Sequence, residues 1–153
     1  MSIQLGERRM TALFEHSPWV ERRADARPAS GDRHSDLMAV VRNATPEEQL
    51  ALIRAHPELA GKAAVALTEA SAAEQAGAGL DRLTQAEFDR FHALNAAYRE
   101  KFGFPFIICV RLTDKAGILA AMERRLANDR DTEIANALGQ IGEIVRLRLK
   151  DMT

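Results

Sequence analysis

The ten residues Lys101–Val110, KFGFPFIICV, decide how this chain folds. They carry a charged and aromatic helix end through Gly103 and Pro105 into the apolar run 106–110. A run this short, with a proline beside it, cannot span a bilayer and is poorly suited to a surface, so it belongs in the interior. Residues 106–112 have a strand-like composition, rich in isoleucine and valine. Nothing else in the chain reads as a partner strand, and an isolated strand buries backbone groups that must be satisfied some other way. The stretch is therefore expected as an extended lead-in to a buried helix, inside an all-α, single-domain helical bundle.

Helix signals flank it on both sides. Thr45-Pro46-Glu47-Glu48 joins a threonine cap, a proline at the first helical position and a glutamate able to return the capping-box bond. Thr84-Gln85-Ala86-Glu87 repeats that box and opens a long helix on which Phe88, Phe91, Asn95, Tyr98 and Phe102 recur every three or four residues. Further helices are expected from Ile3 to Phe14, after Ser17-Pro18 as cap and first residue, and after Asp32 as cap. Ala60 to Leu67 reads as weakly helical, and Gly77 and Gly79 close the alanine-rich stretch that follows. Thr113 or Asp114 caps a segment bearing Ile118, Leu119, Met122 and Leu126, and Thr132 is expected to begin the last helix.

Composition narrows the function. The 153 residues suit one domain over 1–153, with a core that buries roughly 70% of the unfolded surface. The 21 basic and 22 acidic residues leave a formal charge of -1, which gives no field for a polyanion, so nucleic acid is not an expected partner. The lone Cys109 excludes an intrachain disulfide and fits a reducing compartment. With no readable targeting or membrane segment, the expected location is cytoplasmic. There is no HExxH, cysteine pair, histidine cluster, phosphate loop, dinucleotide fingerprint or GxSxG elbow. No metal and no cofactor are expected, which leaves acid-base chemistry and charge stabilisation.

Three places set polar chemistry beside apolar packing. On the last helix Ile134, Leu138, Ile141, Val145 and Arg148 follow at spacings of four, three, four and three, so an arginine takes the next place on an apolar seam. It either snorkels past the helix end or turns its rigid fork of donors to an anionic ligand. Ser71, Glu74 and Gln75 share a face if their segment is helical, and read either as a capping box or as a set of ligand contacts. His56, ahead of Pro57, sits where the Thr45 helix must end, so its ring can turn inward as packing or as an acid-base group that a nearby carboxylate would orient.

The motifs His56-Pro-Glu-Leu-Ala-Gly-Lys62, Leu67-Thr-Glu-Ala-Ser-Ala-Ala-Glu-Gln75, Ala78-Gly-Leu80, Leu94-Asn-Ala-Ala-Tyr98, Lys101–Val110 and Glu143-Ile-Val-Arg-Leu-Arg-Leu149 closely resemble those of the OHCU decarboxylase family. The resemblance runs from about Leu5 to Leu149. It implies a cofactor-free, all-helical and commonly homodimeric lyase of urate degradation. The substrate would be a small ureidoimidazoline carboxylate, 2-oxo-4-hydroxy-4-carboxy-5-ureidoimidazoline, and the product S-allantoin. By motif, the catalytic histidine resembles His56, with Pro57 shaping the pocket. The substrate-contacting serine, glutamate and glutamine resemble Ser71, Glu74 and Gln75. Arg148 resembles the carboxylate-binding arginine, and the backbone at Phe106 and Ile107 resembles the segment that hydrogen-bonds the ring.

A rival reading from another class is a non-catalytic helical protein that binds a ureido or carboxylate ligand, or another chain, in the same groove. An arginine on an apolar seam serves either. A transthyretin-like hydrolase is disfavoured, because that chemistry sits on a sheet-rich fold and this chain has almost no strand pattern.

Overall fold

A computed structural model describes residues 13–14, 16–59 and 69–152. In chain order the elements are α1 (Trp19–Asp25), α2 (Arg33–Asn43), α3 (Pro46–Arg54), α4 (Glu69–Gly77), α5 (Gln85–Phe102), a 3-10 turn (Val110–Leu112), α6 (Lys115–Arg125) and α7 (Arg130–Asp151). No strand occurs among the described residues, so the all-α expectation holds. Most of the expected Ile3–Phe14 helix, and the whole of Ala60–Leu67, lie outside them.

Local chemistry sets most boundaries. Thr45 and Thr84 each accept a hydrogen bond from the backbone N–H three residues on, and Glu48 and Glu87 return it, so both capping boxes are complete. Asp32 caps α2 through Ser35 N–H, and Asp114 rather than Thr113 caps α6 through Gly117 N–H. Two starts differ from expectation. Pro18 occupies the cap position of α1, with no side-chain cap bond. The last helix begins ahead of Thr132, because Asp129 accepts from the Thr132 N–H at 2.7 Å and recruits Arg130 and Asp131 into the first turn.

α7 is the backbone of the assembly, with α2 and α3 packed on it, while α1 lies on α2 and α6 on α5. Its buried stripe of Ala137, Ile141, Ile144 and Val145 meets Leu37, Val41, Leu52 and Ile53 in one core. Gly142 permits a close approach there, since a Cβ would come within 3.1 Å of the Met38 methyl. His34 ties the same contact through Nε2, 2.9 Å from the Gly142 carbonyl.

The segment after α5 is buried as expected. Gly103 ends α5 at φ +81°, its N–H donating to the Arg99 carbonyl, and Phe104, Phe106, Ile107, Cys109 and Val110 are then all buried. The expected buried helix beyond it is only the 3-10 turn, and Leu112 at its end is 57% exposed. Without a strand neighbour, the backbone here is satisfied by side chains. Arg130 Nε donates to the Phe102 carbonyl (3.2 Å), Arg54 Nε to that of Gly103 (3.1 Å) and Arg125 Nη1 to that of Ile107 (2.8 Å), while Gln140 Oε1 accepts from the Cys109 N–H (2.9 Å).

Candidate active site

Where α3 stops ahead of Pro57, His56 is 5% exposed and turned into the protein. Its Nδ1 lies 3.0 Å from the Leu52 carbonyl. A carbonyl only accepts, so Nδ1 carries the hydrogen, and in the neutral ring Nε2 is the basic nitrogen. The ring is thus oriented by the backbone of its own helix. The loop behind it is pinned as well: buried Asn95 of α5 donates from Nδ2 to the Leu59 carbonyl at 2.8 Å.

α4 begins at Glu69, so Ser71 lies inside the helix, and the capping-box reading of Ser71 and Glu74 does not hold. The same face instead meets Arg148 of α7. Arg148 Nε and Nη2 donate to Glu74 Oε2 (3.0 Å) and Oε1 (2.7 Å), a two-bond fork. Nη2 also reaches Ser71 Oγ (3.2 Å), and Nη1 the Leu13 carbonyl (3.3 Å). With the residue 5% exposed, the snorkelling reading fails: the arginine is held inside. The pair is charge-assisted and planar, so it fixes the guanidinium in one orientation.

His56, Pro57, Ser71, Glu74, Gln75, Phe106, Ile107 and Arg148 all line one cleft of about 360 Å³, part of it open to solvent, and Leu59 and Ile144 complete it. Every site residue expected from sequence is therefore present. One orientation differs from expectation, because the hydrogen bonds drawn here hold Glu74 against Arg148 and give the His56 ring a carbonyl partner. Sequence reasoning passed over Asn95 as a support, and also Arg125 and Glu133, which stand behind Phe106 and Ile107. Among the described residues, no group of three or more His, Cys, Asp and Glu side chains is placed to hold a metal ion. Nor is any helix long and apolar enough to cross a membrane.

Fold and cleft together define a class: a small helical protein with an enclosed site for a polar, ring-sized ligand, a proton-transfer group on one side and a held charge on the other. A family model described as OHCU decarboxylase matches residues 2–150. The chain is 43% identical over 142 residues to the 2-oxo-4-hydroxy-4-carboxy-5-ureidoimidazoline decarboxylase of Haloferax volcanii, covering 91% of this chain and 83% of that one. Among solved structures, an (S)-allantoin synthase superposes with a TM-score of 0.69 at 29% identity, over 94% of this chain and 48% of that one. An OHCU decarboxylase solved in the presence of (S)-allantoin shares the fold, with a TM-score of 0.73 at 20% identity, over 95% and 97% of the two chains. The chain belongs to the OHCU decarboxylase family.

Proposed function

We propose that this protein decarboxylates 2-oxo-4-hydroxy-4-carboxy-5-ureidoimidazoline to S-allantoin in urate degradation, without a cofactor, in the cleft between His56 and Arg148. The observation that carries the reading is the convergence on one cleft of a histidine with a defined tautomer and an arginine locked by Glu74. When the bond from C4 to the carboxylate carbon breaks, its electron pair forms a C4=C5 bond and displaces the C5=N pair onto the ring nitrogen. The 4-hydroxyl then gives up its proton to become the ring carbonyl, and C5 gains a proton on one face, which fixes the S configuration.

Each group has a task in that sequence. Arg148 holds an anionic or carbonyl oxygen of the substrate and offsets the charge that moves into the ring. His56 Nε2 takes or returns the proton of the 4-hydroxyl. Ser71 and Gln75 fix the ring, Pro57 shapes the pocket, and Phe106 and Ile107 form the wall against which the ring lies. Glu74 orients Arg148. The protein is further proposed to work as a cytoplasmic homodimer, which sedimentation at micromolar concentration tests for the oligomer.

The decisive experiment mixes the protein with freshly generated substrate and follows the chirality of the allantoin formed. Spontaneous decay gives racemate, so S-allantoin in excess at an accelerated rate is the expected result. Racemate at the uncatalysed rate, with allantoin still bound, would leave the protein a binder. Activity is expected to survive exhaustive chelation.

A further inference from the structure

Behind the Phe106–Ile107 wall lies a buried charged cluster that the proposed chemistry does not use. Glu133, in the first turn of α7, is fully buried and accepts four hydrogen bonds: from Tyr98 Oη (2.5 Å), Arg125 Nε (2.7 Å), Asn128 Nδ2 (2.9 Å) and Asn136 Nδ2 (2.7 Å). Burial alone would raise its pKa. The bonds from Asn128, Tyr98 and Asn136 and the charge of Arg125 outweigh that and bring it below the usual value, so the carboxylate stays ionised.

Arg125 spends the rest of its donors on the wall itself. Nη1 donates to the Ile107 carbonyl at 2.8 Å, and the guanidinium carbon lies 4.3 Å from the centre of the Phe106 ring. Tyr98 meets the same ring edge-on, at 5.3 Å and 89°. A buried ion pair is not needed for stability, since well-packed apolar residues often replace one without loss. What an apolar replacement cannot do is hold the carbonyl of an extended segment that has no strand beside it.

We propose that Arg125, fixed in place by Glu133, is a positioning residue for the decarboxylation: it sets the Phe106–Ile107 backbone at the depth and angle against which the substrate ring lies. This rests on the reading of the cleft as the reactive site. A displacement of about 1 Å in such a wall can cost on the order of 10²-fold in rate, because proton delivery and bond cleavage both depend on alignment. It should also loosen the choice of face protonated.

The test separates positioning from mere core stability. Arg125→Met leaves Glu133 buried with an unbalanced charge, so both melting temperature and activity are expected to fall. Arg125→Met combined with Glu133→Leu removes that charge, and the expected result is a recovered melting temperature with kcat/KM still down about 10²-fold and a reduced S excess. Arg125→Lys covers the case in which neither variant folds. It keeps the charge beside Glu133 but not the fork that joins Glu133 to Ile107, so it too should lose rate and S excess at near-normal stability. A folded double variant or Arg125→Lys protein with wild-type kcat/KM and S excess would overturn the positioning role. A wild-type protein that yields only racemate would instead sink the reading of the cleft, so the two failures are distinct.

Discussion

Arg148 on α7 and Glu74 on α4, 74 residues apart in sequence, meet through two parallel hydrogen bonds of 3.0 and 2.7 Å at the floor of the cleft. Glu74 is the more exposed partner, its side chain 14% accessible against 6% for Arg148. The arrangement suits a cation that must stay oriented whether or not a ligand is bound. It also means that an incoming carboxylate meets an arginine already partly neutralised, so geometry rather than net charge must select it.

Arg148→Lys is accordingly expected to act on binding. A lysine keeps the charge but has a single point of donation, and cannot span both Glu74 oxygens and Ser71 together. The apparent dissociation constant of allantoin, measured by calorimetry, should rise about tenfold, the scale of one lost charge-assisted bond, and kcat should fall with it. Glu74→Gln should give a similar but smaller loss, because the amide can still accept from the guanidinium. Unchanged allantoin affinity in a folded Arg148→Lys protein would remove the arginine from substrate binding.

The limits of the sequence are clearest on α7. The seam read there, Ile134 and Leu138 leading to Arg148, was right at its C-terminal end, and the spacing rule did find the one arginine that reaches the cleft. At its N-terminal end Ile134 and Leu138 are only partly buried, while Glu133 and Ala137 face the core. An acidic residue in a first turn reads as a partner of the helix dipole, so nothing local marks Glu133 as interior. Arg125 is the matching case, since it follows Ile118 and Met122 on the buried face of α6 as Arg148 follows Ile141 and Val145 on α7. Applying the seam rule to both helices would have found the second buried pair. The capping boxes at Thr45 and Thr84 were legible because a cap is settled within four residues; the grouping of His56, α4 and α7 around one cleft is tertiary, and the motif resemblance supplied it.

Cys109 should react slowly in the native protein. It is 1% exposed, and burial raises its pKa, with the nearby Glu74 and Glu143 charges adding to the rise. The thiolate that attacks a reagent is thus scarce and shielded. Labelling by a colorimetric thiol reagent at neutral pH is expected to run at least ~10²-fold slower than in denaturant, because it must await a local opening. Rapid stoichiometric labelling would show that the central segment is accessible.

Glu21 makes stability fall as pH rises. The residue is fully buried, neither carboxylate oxygen has a hydrogen-bond partner, and loss of hydration lifts its pKa from 4.5 to about 8. Between those values the unfolded chain has released the proton and the folded chain still holds it. Raising the pH through that window therefore favours unfolding, by at most about 1.4 kcal/mol per pH unit, and the cost is constant once both states are ionised. Glu21→Gln should raise the melting temperature most above pH 8 and least below pH 4.5, the two ends of the window. Equal melting-temperature gains at both ends would mean that the proton is not the cause.

His56 is the residue on which turnover should depend most. Its Nδ1 is committed to the Leu52 carbonyl at 3.0 Å, so proton traffic falls to Nε2 in the pocket. Asparagine at this position can still donate to that carbonyl from its amide, which preserves the end of α3 and the cleft wall, but it has no group that titrates near neutrality. His56→Asn is expected to keep the fold by circular dichroism and most of the allantoin affinity, and to lose about 10²-fold or more in kcat, the usual scale for a positioned acid-base group. Its defect thus differs in kind from that of Arg148→Lys, falling on kcat with little change in KM. Stereoselective decarboxylation at near wild-type rate by the folded His56→Asn protein would take the imidazole out of the mechanism and leave alignment by Arg148 and the Phe106–Ile107 wall to account for the rate.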